Sequence, residues 1–250
     1  MALRLAVLGD IHGNLAALEA ALADAKRHKP DRFVITGDLT FYGPRPGETI
    51  DRVRALEKSG ALVIAGNTDL AVADGDYAAA FPWLDEVPAT HTAAAEWARE
   101  QLSDEQLDYL RGLPYERRLW AGGNLVLACH GSPGSITAGL PTDLDPTVTV
   151  ERVTRTDARV IACGHTHVAD VRELGRKLIV NPGSCGYAFD GDAAACWALL
   201  TVPDGDDAEP SAELFRPAYD AGAAAEEVAA RGLPGDVYRA ATIRTGRLVR

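Results

Sequence analysis

The sequence predicts a protein of the α/β class, and three observations support this prediction. Short apolar runs that end near a glycine alternate along the chain with segments of helical periodicity. The runs are continuously apolar, which is typical of strands buried in a largely parallel sheet. At 250 residues and 47% hydrophobic composition, the chain can also bury a large core. We expect one domain over residues 1–250, with a helical insertion at approximately 70–120.

The first half of the predicted sheet consists of three strands that each end before a short polar loop. A strand over residues 5–8 precedes a helix over residues 14–25, in which leucines recur at helical spacing. A second strand at 33–35, a helix at 49–56 and a third strand at 62–65 repeat the pattern.

The strand signal then disappears until about residue 119, and Ala-rich helical stretches replace it at 92–102 and 104–110. Three later strands are predicted at residues 125–129, 160–163 and 178–180. An antiparallel hairpin follows, with strands at 195–202 and 212–215 and a solvated acidic turn at 204–207, and two helices are predicted at 220–231 and 236–243.

Composition and charge exclude some functions. A net charge of -11 argues against general affinity for nucleic acid or anionic membranes, because such binding needs clustered Lys and Arg. Phosphate chemistry would therefore need bound cations. The four cysteines form no Cys-x-x-Cys pair, and the chain reaches Gly9 and Asp10 before a signal peptide or membrane span could form. We expect reduced thiols in a cytoplasmic protein.

Five loops, each after a predicted strand, carry polar residues typical of metal ligands: Asp10-x-His12, Gly37-Asp38, Gly66-Asn67, His130-Gly131 and Gly164-His165-Thr166-His167. Such loops can converge, because the carboxyl ends of neighbouring strands point to one crevice. Imidazole nitrogen with carboxylate and amide oxygen suits Mn, Fe, Zn or Ni, whereas calcium prefers oxygen alone. His28 lies in a charged segment and is expected to be solvated. His91 is expected at a helix start, in a structural role or in contact with substrate.

In this order, the motifs resemble those of the calcineurin-like metallophosphoesterase superfamily, whose pattern is Asp-x-His, Gly-Asp, Gly-Asn-His-Asp or Glu, His, and Gly-His-x-His. The resemblance covers roughly residues 5 to 185, and Asn181-Pro182-Gly183-Ser184 matches the segment that commonly follows the last motif. It implies a four-layer fold, in which a sandwich of two sheets is flanked by helices.

The resemblance also implies two divalent metal ions, with Mn or Fe favoured and Zn or Ni as alternatives. One ion would be bound by Asp10, His12 and His167, the other by Asn67, His130 and His165, with Asp38 bridging them. A hydroxide shared by the ions, roughly 3.5 to 4 Å apart, would attack phosphorus in line. Asn67 would also orient the phosphate.

The sequence departs from the family pattern at Gly66-Asn67-Thr68-Asp69, where threonine replaces the histidine usually assigned to protonate the leaving oxygen. General acid catalysis is typically worth about 10² to 10⁴ in rate, so substrates with poor leaving groups should suffer most. The departure favours phosphodiesters over phosphomonoesters. The alternative is that His91 or water supplies the proton. The candidate catalytic residues are Asn67, Thr68 and Asp69.

A second departure is Tyr42, which stands where protein Ser/Thr phosphatases and symmetrical dinucleoside tetraphosphatases carry an arginine before Gly43. The bidentate phosphate clamp of those enzymes is therefore missing. Two roles are open for the aromatic residues Tyr42, Phe81 and Trp83: they form a stacking surface for a nucleobase, or they belong to the core. The candidate substrate contacts are Asn14, Tyr42, Arg45 and His91, although Arg45 also fits a surface role.

The preferred hypothesis is a metal-dependent phosphodiesterase with a small, nucleotide-like phosphate-ester substrate. The enzymatic alternatives are hydrolysis of phosphoanhydrides in dinucleoside polyphosphates and hydrolysis of phosphomonoesters. The alternative from a different class is a scaffold, as in the phosphoesterase-like subunit of the retromer coat. We expect neither nonspecific nucleic acid nor membrane as a partner, and the sequence leaves the oligomeric state undetermined.

Overall fold

The computed structural model describes residues 2–205 and 208–249 and contains two five-stranded mixed sheets with helices on their outer faces. The strands are β1 Leu3–Leu8, β2 Arg32–Ile35, β3 Leu62–Val63, β4 Glu116–Ala121, β5 Asn124–Cys129, β6 Val160–Ala162, β7 Ala169–Leu174, β8 Lys177–Pro182, β9 Trp197–Val202 and β10 Ser211–Phe215. The helices are α1 Leu15–Arg27, α2 Pro46–Lys58, α3 Asn67–Asp74, α4 Tyr77–Ala80, α5 Ala89–Glu100, α6 Asp104–Arg111, α7 Pro146–Val153, α8 Ala221–Ala230 and α9 Asp236–Thr245.

The first sheet has the strand order β10-β9-β1-β2-β3. Strands β1, β2 and β3 are parallel, and β9 and β10 extend the sheet on the other side as an antiparallel hairpin. Helices α1 and α2 connect the parallel strands, as expected for crossover connections. The carboxyl ends of all three parallel strands therefore lie at the same end of the sheet.

The second sheet has the order β4-β5-β6-β8-β7 and follows the same principle. Its central strands β5, β6 and β8 are parallel, whereas β4 and β7 pair antiparallel at the two edges. The loops that follow β5 and β6 therefore also lie together, at the carboxyl ends of the parallel strands of this sheet.

Apolar residues alternate between two core layers along the central strands. Leu5, Val7, Val180 and Leu200 belong to the core that contains inward-facing residues of both sheets. The intervening residues of β1 pack with α1 and α2, and those of β5 and β6 pack with α7. The predicted α/β class, with its two-sheet sandwich, flanking helices and C-terminal hairpin and helices, is confirmed.

Two strands were missed by the sequence analysis. Strand β4 lies inside the stretch predicted to lack strands, and β7 lies in a segment to which no element was assigned. Both are edge strands, and both contain charged or partly exposed residues, such as Arg117 and Arg118 in β4. An edge strand needs no continuous apolar run, because it is paired on one side only.

The histidine predicted to be solvated is instead half-buried. The His28 ring packs 4.3 Å from the Phe215 ring and 5.4 Å from the Trp197 ring, measured between centroids. The charged neighbours of His28 in the sequence concealed this contact, which depends on β9 and β10. Asp206 and Asp207 of the predicted hairpin turn lie outside the described residues.

All four cysteines are free and buried: Cys129, Cys163, Cys185 and Cys196. Within residues 2–205 and 208–249, no helix has the length and apolar character needed to cross a membrane.

Substitution of Leu200 by alanine should destabilise the protein, because this fully buried side chain fills the core between the sheets. We expect the free energy of unfolding to fall by about 2–5 kcal/mol, measured by urea denaturation. Val237, 72% exposed on α9, provides the control, and Val237→Ala should change stability by only about 0.5 kcal/mol. Equal effects of the two substitutions would contradict this assignment of the core.

Candidate metal centre and substrate pocket

The loops with the predicted ligands meet at the carboxyl ends of the parallel strands of both sheets. Backbone hydrogen bonds join successive loops: the Asp10 N–H donates to the Gly37 carbonyl at 3.0 Å, and the His12 N–H donates to the Asp38 carbonyl at 2.9 Å. The Gly164 N–H donates to the His130 carbonyl at 2.8 Å in the second sheet. The loops therefore form one continuous hydrogen-bonded rim.

Four buried residues form a first group whose potential ligand atoms all lie within 4.8 Å of one another, namely Asp10, His12, Asp38 and His167. The Nε2 atoms of His12 and His167 are 3.1 Å apart. An Asp38 oxygen lies 3.6 Å from His12 Nε2, and an Asp10 oxygen lies 3.3 Å from His167 Nε2.

A second group is centred on Asn67, whose Oδ1 lies 3.0 Å from His130 Nε2 and 2.9 Å from His165 Nδ1. The Asn67 Nδ2 donates to the Ala80 carbonyl, so the amide oxygen is the atom that faces the histidines. The Asp38 oxygen that approaches His12 also lies 3.5 Å from His130 Nε2. Asp38, a member of the first group, therefore also approaches the second group. The structure brings all seven predicted ligands together.

The tautomers of three histidines show that these groups suit a cation. The Nδ1 atoms of His12, His130 and His167 each face a backbone carbonyl, at 3.0, 2.6 and 2.5 Å, so each Nδ1 carries a proton. Their Nε2 atoms, which carry the lone pair in the neutral form of the ring, then point into the site, where those of His12 and His167 face each other. Ligands about 2.1 Å from one ion and at right angles are about 3 Å apart. The donor set and its orienting carbonyls fit divalent metal ions.

Backbone strain is concentrated in the same loops. Five of the seven predicted ligands have positive φ angles: Asp10 52°, His12 52°, Asp38 54°, His165 71° and His167 58°. Such angles are uncommon in residues other than glycine, and they cluster at functional sites. The adjacent glycines permit close approach, since a Cβ at Gly66 would lie 2.1 Å from Asp38 Oδ1 and one at Gly164 would lie 2.5 Å from Asp10 Oδ2.

Burial and neighbouring charges shift the pKa values of the histidines in different directions. Burial and the neighbouring His167 lower the pKa of His12 to about 4, and burial and His130 lower the pKa of His165 to about 4. Burial acts in the same direction on His130, but the charges of Asp38 and Asp10 and the hydrogen bonds with Asp38 and the Thr36 carbonyl together outweigh it and raise the pKa of His130 to about 9. His12 and His165 are therefore neutral near pH 7, with lone pairs available for a metal.

Asp69, predicted to be catalytic, is located behind the ligands. Its carboxylate accepts hydrogen bonds from the backbone N–H groups of Gly66, Asp38 and Leu39, at 2.8, 3.0 and 2.9 Å. Asp69 therefore fixes the Asp38 loop to the start of α3. Thr68 is also buried, and its N–H donates to Asp38 Oδ1 at 2.9 Å.

The segment after the last ligand motif supports the site from the other side. The Asn181 amide donates to the Gly164 carbonyl and to the Thr166 hydroxyl, both at 2.9 Å, and the Ser184 hydroxyl donates to the Asp10 carbonyl at 2.7 Å. These bonds hold the backbone on which the metal-ligand candidates are carried.

The four predicted substrate contacts lie in different surroundings. Asn14 caps α1, and its amide donates to the Gly186 carbonyl and the Tyr219 hydroxyl. Arg45 pairs with Glu227 of α8 at 2.7 Å on the exposed surface. Tyr42 is buried, with its ring 5.4 Å from that of His12, and His91 meets Tyr42 edge-on at 5.9 Å. Tyr42 and His91 therefore lie near the metal centre, whereas Asn14 and Arg45 make structural contacts.

Arg239 on α9 is a site neighbour that the sequence analysis missed. Its guanidinium lies 4.2 Å from the Tyr42 ring centroid and donates to the carbonyls of Pro234 and Thr90. Arg239 shares the buried face of α9 with Thr242 and Ile243, and this charged residue at a core-facing position was the available signal. Burial of an arginine requires partners, which are supplied by distant segments.

Removal of the His12 imidazole tests whether the first group binds metal. Substitution His12→Ala should remove one ligand of the first group and lower the metal content of the purified protein, measured by inductively coupled plasma mass spectrometry. His28→Ala is the matched control, because His28 packs on Phe215 away from the ligand groups. A metal content that falls equally in both variants, or in neither, would contradict the assigned role of His12.

Comparisons with known proteins agree with this geometry. The sequence model of the calcineurin-like phosphoesterase superfamily domain matches residues 3–205. A metallophosphoesterase crystal structure from Sphaerobacter thermophilus is similar with a TM-score of 0.75 and 28% identity, over 98% of this chain and 100% of that one. A hypothetical protein from Pyrococcus horikoshii shares the fold, with a TM-score of 0.82, 24% identity and 98% coverage of both chains.

Two curated proteins are also similar in sequence. An uncharacterised protein of Methanocaldococcus jannaschii is 26% identical over 245 residues, which cover 92% of this chain and 93% of that protein. A symmetrical bis(5'-nucleosyl)-tetraphosphatase of Psychromonas ingrahamii is 42% identical over 66 residues, which cover 26% of this chain and 23% of that enzyme. With the family match over most of its length and the buried Asp and His cluster that could bind metal, the chain belongs to the calcineurin-like phosphoesterase superfamily.

Proposed function

We propose that this phosphoesterase is a dinuclear-metal-dependent phosphodiesterase that acts on a small, nucleotide-like substrate. The observation that carries this proposal is a full set of seven converging ligand candidates with Thr68, not histidine, beside Asn67. The set can support phosphoryl chemistry, while the residue at position 68 restricts the leaving groups that the enzyme can handle.

In this proposal, Asp10, His12 and His167 would hold one ion, Asn67, His130 and His165 would hold the other, and Asp38 would be shared between them. Two divalent ions, when bound, lower the pKa of water and neutralise the charge on phosphate oxygens. The chain orients the ligands: backbone carbonyls fix the tautomers of three histidines, and the Ala80 carbonyl fixes the Asn67 amide.

The preference for diesters follows from proton supply to the leaving oxygen. A threonine hydroxyl is too weakly acidic to act as a general acid near neutral pH, so Thr68 does not replace the family's histidine. The His91 ring packs edge-on against Tyr42 and Phe81, and Tyr42 in turn meets His12, an arrangement that favours a packing role for His91 over proton donation. Substrates with stable or strained leaving groups, such as aryl and cyclic diesters, depend least on this proton.

The mixed nitrogen and oxygen donors favour Mn or Fe as the native metal, with Zn or Ni as alternatives. The four free, buried cysteines support a reducing, cytoplasmic location.

Hydrolysis of phosphoanhydrides in dinucleoside polyphosphates is the second candidate function. Local similarity to the Psychromonas ingrahamii tetraphosphatase supports it, and a phosphate leaving group also needs little protonation. The absence of an arginine at position 42 argues against it, because Tyr42 cannot form a bidentate clamp on phosphate.

Metal-loaded protein should hydrolyse bis-p-nitrophenyl phosphate and cyclic nucleotides in the presence of Mn, and chelation with EDTA should abolish the activity. Asp38→Asn should lower kcat by at least about 10²-fold, since it weakens a ligand shared by both ions. Release of p-nitrophenol and chromatography of nucleotides would measure these rates. The proposal fails if metal-loaded protein cleaves neither substrate, and a preference for dinucleoside polyphosphates would favour the second function.

Installing histidine at position 68 should broaden leaving-group tolerance. For Thr68→His, we expect the rate with alkyl phosphomonoesters to rise relative to that with aryl diesters, by up to about 10²-fold. Thr68→Val, which removes only the hydroxyl, should leave this ratio unchanged. Steady-state kinetics with matched alkyl and aryl esters would measure the ratio, and an equal rise in Thr68→Val would refute the proton-supply argument.

A further inference from the structure

Trp83 is an exposed aromatic residue beside the metal centre. It lies between α4 and α5, and the residue is 54% exposed. Its indole ring meets the His165 ring edge-on at 5.5 Å and the Phe81 ring edge-on at 5.8 Å. Phe81, which is 4% exposed, closes the core beneath the indole, so much of the Trp83 ring surface remains accessible to a ligand.

The ligand candidates differ in their exposure to solvent. Six of the seven predicted ligands are buried, at 5% exposure or less, and His165 is the partly exposed one. Trp83 therefore contacts the ring of the least buried ligand candidate. A substrate that approaches the ligand groups from the His165 side passes the indole.

The other two aromatic residues considered for base stacking do not offer a free face. Tyr42 stacks on Tyr187 at 5.0 Å and carries the Arg239 guanidinium at 4.2 Å, and Phe81 is 4% exposed. Of the three aromatic residues considered for base stacking from the sequence, only Trp83 is accessible to a ligand.

We propose that Trp83 is a specificity residue that stacks on the nucleobase of the substrate, an inference that rests on the proposed phosphodiesterase function. One histidine ring separates Trp83 from the donor atoms around Asn67, and one sugar separates a base from its phosphate in a nucleotide. Stacking tolerates any base, because every base has a π-face.

Charge near Trp83 favours a neutral ring over further phosphates. Asp85 and Glu86 follow Trp83 on the same loop, both are exposed, and residues 81–91 contain neither Lys nor Arg. Additional phosphate groups on this side would be repelled. The loop therefore suits a nucleoside attached to one phosphodiester better than a polyphosphate chain.

The test compares two diesters with the same leaving group, thymidine 5'-(p-nitrophenyl phosphate) and methyl p-nitrophenyl phosphate. Trp83→Ala should lower the preference for the thymidine ester, expressed as the ratio of kcat/KM values, by roughly 5- to 100-fold. The loss should be mainly in KM, and Trp83→Phe should restore most of the preference. Trp120→Ala is the matched control, because Trp120 is 70% exposed and pairs with Leu125 at the opposite end of β5 from His130.

An unchanged ratio in Trp83→Ala, or equal losses with both esters, would overturn the stacking role. If the wild-type protein cleaves neither ester, the proposed function fails, and the stacking role is then decided by binding. Thymidine 5'-monophosphate should quench the tryptophan fluorescence of metal-loaded wild-type and Trp120→Ala protein. Quenching that persists at the same nucleotide concentrations in Trp83→Ala would overturn the inference.

Discussion

The carboxylate of Asp38 is the interaction on which the rest of the site depends. One oxygen lies 3.6 Å from His12 Nε2 and 3.5 Å from His130 Nε2, and these histidines follow strands of different sheets. A buried carboxylate is stable only with charged or hydrogen-bonding partners, so the two sheets must keep a fixed relative position at this edge. Thr68 and Asp69 complete the arrangement through hydrogen bonds to the Asp38 side chain and backbone.

The cost of this arrangement is local backbone strain, which the surrounding fold counteracts. Positive φ angles at five ligand candidates would be unfavourable in an isolated loop. Here, the strained loops are hydrogen-bonded to one another, and Asn181 and Ser184 tie them to the end of β8. The glycines before the ligands allow neighbouring loops to approach within distances that a side chain would block. The sandwich thus provides the rigidity that the ligand geometry requires.

The parts of the chain that surround the metal centre have a different character from the centre itself. Trp83 and His91 come from the helical region between β3 and β4, and Arg239 comes from α9, beyond the residues that match the family model. These residues form an aromatic and cationic surrounding for Tyr42 and His165 rather than additional ligands. Strands and their loops carry the ligand candidates, and the helical segments contribute the residues that surround them.

The sequence by itself determined the fold class and predicted the ligand candidates, because both depend on local order: apolar runs end shortly before Asp10, Asp38, Asn67, His130 and His165. Only the tertiary structure decided what the remaining polar residues do. Asp69 supports the Asp38 loop, Asn14 donates to Gly186 and Tyr219, and Arg239 crosses from α9 to Tyr42, through contacts between residues up to 205 positions apart. Edge strands β4 and β7 were also decided at this level, since pairing with a neighbour rather than hydrophobic pattern stabilises them.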